Sequence, residues 1–134
     1  MAFLPIQYDD GQLVKMQVGA TTFTKGDGCV FSSGYLTKAA GAQGGPVEYV
    51  IMETVASAAT QGDLKLCIRT EGVRFLCDTD GTPAQSQVGT YADLASASTI
   101  DEDASADDLF LIEQIVSAGD KKVAGYFKHY TIES

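Results

Sequence analysis

The stretch "GDLKLCIRTEGVRFLCD", residues 62–78, decides the fold class. Leu64, Leu66 and Ile68 alternate with Lys65, Cys67 and Arg69, and after Glu71-Gly72 the alternation resumes at Val73, Phe75 and Cys77. A period of two sends successive side chains to opposite faces of a pleated strand. Gly72 is free to take a positive φ, so a tight β-hairpin is expected over this stretch.

The same period recurs on both sides. In "QLVKMQV", residues 12–18, Val14, Met16 and Val18 share one face and Leu13, Lys15 and Gln17 the other, as in a half-buried strand. "PVEYVIMETV", residues 46–55, is apolar on both faces and reads as a central strand covered on both sides. "DLFLIEQIV" and "VAGYFKHYTIES" flank the turn-rich "SAGDKK", giving a closing hairpin whose second strand carries Tyr126, Phe127, Tyr130 and Ile132. A helix begun by Ser105 with Asp108 as a capping box is the alternative for the first run, but Leu109 to Val116 is too apolar all round and too rich in branched residues for it.

Gly-Asp pairs at Gly26-Asp27, Gly62-Asp63 and Gly119-Asp120 punctuate these runs as turns without a regular period. "KAAGAQGGP" and "VASAATQGD" have little to pack and read as exposed loops. About eight short strands joined by Gly-rich turns make an all-β chain, a small single-domain β-barrel or β-sandwich with a possibly extended N-terminal arm. Residues 1–11 are then an arm or edge strand and residues 12–134 a single β domain.

Size and charge bound the function. A chain of 134 residues supports one domain with a real core. Its 18 acidic against 9 basic residues give a net charge of -9, which repels the phosphates that dominate nucleic-acid affinity. No apolar run approaches the ~18 residues of a membrane helix, and the N-terminus lacks a basic start, apolar core and cleavage site, so synthesis in the cytoplasm is expected. Cys29, Cys67 and Cys77 show no Cys-x-x-Cys spacing and read as reduced, buried hydrophobes.

Chemistry-bearing motifs fail in turn. The calcium-loop pattern starting at Asp101 matches at Asp103, Ser105 and Asp107, but Ala106 stands where Gly is needed and Ile112 where a bidentate Glu is needed. "DTDGT", Asp78 to Thr82, lacks a later Glu at the required spacing. His129, the only histidine, has no nucleophile elbow for company, and the phosphate-cradling Gly-rich motif is missing. Residues 92–108 read as an exposed acidic loop in which Asp93 and Asp101 accept from nearby backbone amides. No catalytic, cofactor-binding or metal-ligating residue is assigned, and no enzyme activity is expected.

"FTKGDGCVFSSGYLTKAAG", "PVEYVIMETV", "GDLKLCIRT", "QVGTYADLA", "STIDED" and "DLFLIEQIVSAGDKKVAGYFK", in that order, resemble small tailed-phage capsid decoration (cement) proteins, over roughly residues 12 to 130. The resemblance implies a non-enzymatic virion protein, made in the host cytoplasm, that binds the outside of an icosahedral shell. It would act there as a homotrimer, stapling neighbouring copies of the major capsid protein. It carries no catalytic or ligand residues over. The apolar N-terminus, with Phe3, Leu4, Pro5, Ile6 and Tyr8, is the expected capsid-binding segment, loose in solution and adding to a capsid strand, or else a first strand packed on its own barrel. A tail or other head-associated virion module, a glycan-binding β domain, and a small metal-dependent hydrolase using Asp78, Asp80, Asp101 and Asp103 are the alternatives.

Overall fold

The computed structural model describes residues 3–41, 46–58 and 60–128. Eleven strands form among them: β1 (Leu4–Gln7), β2 (Leu13–Gln17), β3 (Gly28–Ser32), β4 (Tyr35–Lys38), β5 (Tyr49–Ile51), β6 (Leu64–Arg69), β7 (Arg74–Thr79), β8 (Tyr91–Ser96), β9 (Thr99–Asp101), β10 (Phe110–Ser117) and β11 (Lys122–Phe127). The chain is all-β, as its period-two pattern predicts, and two single-turn 3-10 segments, Asp10–Gln12 and Gln85–Gln87, are its only helical pieces among the described residues.

Five strands close into a barrel in the order β7-β11-β10-β8-β9, sealed by parallel pairing of β9 with β7 through Asp78 opposite Thr99 and Thr79 opposite Ile100. Closure leaves no open edge in the ring. β1 adds antiparallel to β7 outside the ring. The remaining strands form a second sheet, β2-β6-β5-β3-β4, whose ends approach each other where Val18 bridges Leu36.

The hairpin expected over residues 62–78 is corrected. β6 pairs with β2 and β5, whereas β7 pairs with β1, β11 and β9, so the two strands belong to different sheets. The link is tight, with Val73 N–H donating to Thr70 O at 3.1 Å and Gly72 at φ 72°. But Thr70 is fully buried, and its hydroxyl donates to Val47 O at 2.6 Å. Anchoring the turn inside the molecule sends the strands apart into different layers.

The closing hairpin, by contrast, forms as expected, β10 against β11. Register shifts between Ile112 and Gln114 and between Ile115 and Ser117 explain why the apolar residues of β10 do not alternate: bulges re-aim its side chains. Gly125 on β11 is dictated by that pairing, because a Cβ there would lie 1.8 Å from Leu111 O. Tyr130 and Ile132 lie outside the described residues.

The core divides in two. The larger cluster fills the barrel and its seam with the second sheet, joining Phe3, Phe75, Phe110 and Phe127 to Val50 and Ile68. The smaller packs Val18, Cys29, Leu36, Ile51 and Cys67 on the other face of the second sheet, under Phe23 and Val55. β5 is buried throughout and lies between β3 and β6, the central strand its composition predicts. Ala39 and Val55, at the heads of stretches read as bare loops, belong to these cores.

Two of the Gly-Asp turns prove to be one device used twice. In Thr24 to Asp27 and in Thr60 to Asp63 the Asp carboxylate accepts from the Thr amide, at 2.9 and 3.1 Å, and the Asp amide donates to the Thr carbonyl at 2.9 Å in both. Each turn then docks on a strand in the same way: Gly26 and Asp27 exchange bonds with Ile51, Gly62 and Asp63 with Val18. The second sheet is thus built around two equivalent strand-turn-strand units.

Candidate interaction surface

The N-terminal segment is held rigidly. Phe3 is 2% exposed, with its ring 4.7 Å from that of Phe127, 5.9 Å from Phe110 and 6.3 Å from Phe75, and its amide donates to Gly26 O at 3.0 Å. Pro5 is buried as well. Of the two readings of this segment, an arm or an edge strand, the described residues form the edge strand: burying these two side chains outweighs the freedom of so short a segment. Leu4, Ile6 and Tyr8 remain 42%, 41% and 46% exposed. Of the five expected contact residues, Leu4, Ile6 and Tyr8 reach the surface and Phe3 and Pro5 anchor the strand that presents them.

The outer edge of β1 carries no strand among the described residues. Pro5 removes one amide donor from β1, and its register on β7 shifts between Pro5 and Gln7. These features blunt strand addition, so the side chains of β1 are better suited to docking than its backbone. The face they belong to continues across the barrel. Gln7 lies opposite Arg74, Arg74 opposite Tyr126, Tyr126 opposite Leu111 and Leu111 opposite Tyr91, a lateral row crossing five strands. Arg74 is held there by donating to the Glu113 carboxylate at 3.2 Å and to Gln114 Oε1 at 2.9 Å, and Lys128 Nζ lies 5.1 Å from the Tyr91 ring centre.

The acidic stretch folds differently from the exposed loop expected of it. Residues 91–96 and 99–101 are strands β8 and β9 that close the barrel, with Ala92, Asp93, Leu94, Ile100 and Glu102 buried. Small Ala and Ser side chains and the buried carboxylate of Asp93 interrupt the large apolar residues, which hides the period. Asp93 does accept from backbone amides: those of Ala106, Asp107 and Asp108, at 3.0, 2.8 and 3.0 Å. Asp101 likewise accepts from the Asp103 amide at 3.1 Å.

Candidate ligating oxygens of Asp101, Glu102 and Asp103 lie within 4.8 Å of one another. Each side chain is engaged internally: Glu102 accepts from the Gly81 amide at 2.7 Å, Asp103 from the Gln87 side chain at 2.9 Å, and Asp101 as above. Asp107 and Asp108 stand at the Asp93 cradle instead. Asp78 pairs with Lys122, and Asp80 follows it at the turn where its amide donates to Ile100 O at 2.9 Å.

The three thiols are separated between the cores, Cys77 in the larger and Cys29 and Cys67 in the smaller. Burial raises all three, Cys67 to about 12, so none is a thiolate at neutral pH. His129 lies outside the described residues. Compared with known proteins, the chain matches no family model, no curated protein and no solved structure.

Proposed function

We propose that this chain is a non-enzymatic virion protein that seats on the outside of an icosahedral capsid and stabilises it by bridging neighbouring major capsid subunits. The observation that carries the reading is β1, an apolar edge strand whose Leu4 and Ile6 are exposed while Phe3 and Pro5 lock it to the barrel. A rigid strand presents its contacts without an ordering cost at the moment of binding. The whole-chain resemblance to tailed-phage decoration proteins supports the same reading. So does the net charge of -9, which keeps a protein needed in many copies apart from itself before assembly. Homotrimers at three-fold positions and a location on the capsid exterior, after synthesis in the host cytoplasm, belong to the same proposal.

Co-sedimentation of the purified chain with capsids of the source virus, before and after expansion, at low and high salt, tests it. Saturable binding to the expanded shell is expected. Absence of binding to either shell overturns the proposal and favours a tail or receptor-binding role.

A further inference from the structure

A second surface feature does not depend on that role. Where β1 runs out, Gln7, Tyr8, Asp9, Gln12, Gly72 and Tyr126 line an open cleft of about 590 Å³, within the ~300–1,000 Å³ range of small-ligand sites. Its chemistry is mixed: two tyrosines, two amides and one carboxylate. No cationic side chain is in its lining among the described residues.

The cleft is built from two layers of the fold. Tyr126 comes from β11 in the barrel wall, Tyr8 and Asp9 from the chain leaving β1, and Gly72 from the link between the sheets. Gln12 is fixed between them, its Oε1 accepting from the Asp9 amide at 2.8 Å and its Nε2 donating to Glu71 O at 2.6 Å. Gly72, at φ 72°, has no side chain to fill the floor. Tyr8 is 46% exposed and Tyr126 half-buried, so both rings are reachable from solvent. Aromatic rings of this kind combine an apolar body with a polar tip.

We propose that this cleft binds a short neutral saccharide. A pyranose has apolar C–H faces and a rim of hydroxyls, and the two classes of group here match those two surfaces: the tyrosine rings the faces, the Asp9 carboxylate and Gln7 amide the rim. Arg74, which stands beside the cleft between Gln7 and Tyr126, is paired with Glu113, so the carboxylates of Asp9 in the lining and Glu71 next to Gly72 disfavour acidic sugars by repulsion. An open, polar cleft of this sort gives millimolar rather than tight affinity.

The test is an amide NMR titration of the isotope-labelled full chain with glucose, galactose, N-acetylglucosamine, lactose and chitobiose at millimolar concentration, with sialyllactose as the charged comparison. At least one neutral sugar is expected to shift the amides of Tyr8, Asp9, Gln12, Gly72 and Tyr126 and to leave the rest in place. Tyr8→Ala and Tyr126→Ala should each weaken that response about tenfold in affinity, with the remaining spectrum certifying their fold. Silence from every neutral sugar, shifts that map elsewhere, or responses untouched by both substitutions overturn the proposal. Equal binding of sialyllactose and lactose overturns the charge selectivity it claims.

Discussion

The ring of Phe3 packs against the ring of Phe127 at 4.7 Å between centres, tilted by 57°, and so ties the first described residue of the chain to the last barrel strand. Phe75 and Phe110 complete a four-ring cluster with edge-on contacts to Phe127 at 5.2 Å each. Phe3→Ala is expected to cost about 3–5 kcal/mol, the usual loss for a buried phenylalanine. Leu4→Ala, on the exposed side of the same strand, should stay within about 0.5 kcal/mol. Urea unfolding of both variants checks this, and equal small losses would show that the strand is not part of the core.

Asp93 on β8 holds the link between β9 and β10 by accepting from three successive amides of it. Hydrogen bonds to a charged group are worth about 1.5–3 kcal/mol, and removing the acceptor leaves part-buried donors without a partner. Asp93→Ala should therefore destabilise by about 3 kcal/mol, and Asp93→Asn, which keeps one oxygen, by less. Hydrogen exchange at Ala106, Asp107 and Asp108 reads the effect locally: all three amides should lose protection first in Asp93→Ala.

Much of this was legible in the sequence and some was not, for physical reasons. Strands β2, β5, β6, β7, β10 and β11 show in the alternation or continuity of large apolar residues, because half-buried and fully buried strands impose those patterns directly. β8 and β9 do not show, because in "YADLASASTID" the only large buried apolar residues are Leu94 and Ile100, and the Ala, Ser and buried Asp93 around them look like a loop. The partner of β6 was misread since periodicity reports which face of a strand is buried and says nothing of which edge it pairs along. Thr70, the residue that turns the chain between sheets, gives no sign of its burial in a polar Arg-Thr-Glu-Gly stretch. For the surface, the apolar N-terminus gave no means of dividing the buried Phe3 and Pro5 from the exposed Leu4, Ile6 and Tyr8. The Tyr8 and Tyr126 cleft joins residues more than a hundred positions apart and leaves no local motif.

Asp78 and Lys122 face each other across β7 and β11, and their charges respond to pH. Burial pushes the Asp78 carboxyl up, but its hydrogen-bonded and charged neighbours, Lys122 first among them, hold it below the usual 3.8. A carboxyl depressed on folding adds stability above its unfolded pKa and loses it as pH falls through the lower folded value. Lys122→Gln should thus be less stable than the parent chain at neutral pH, and the gap should narrow below pH ~4. A gap independent of pH would mean that the lysine acts through packing alone.

The three buried thiols make a check on the two cores that needs no variant. With Cys29, Cys67 and Cys77 all raised by burial, the native chain should leave a disulfide reagent unconsumed at neutral pH, and in denaturant it should react at all three. Rapid native labelling at Cys77 would show that the barrel opens far more readily than its packing implies.

The most direct measurement is capsid co-sedimentation with Leu4→Glu and Ile6→Glu combined, on a chain whose unfolding midpoint matches the parent. Both side chains are exposed, so the fold should hold, while two carboxylates in place of the apolar contacts should lower affinity for the expanded shell by about tenfold or more. Undiminished binding of a folded double variant would contradict attachment through β1.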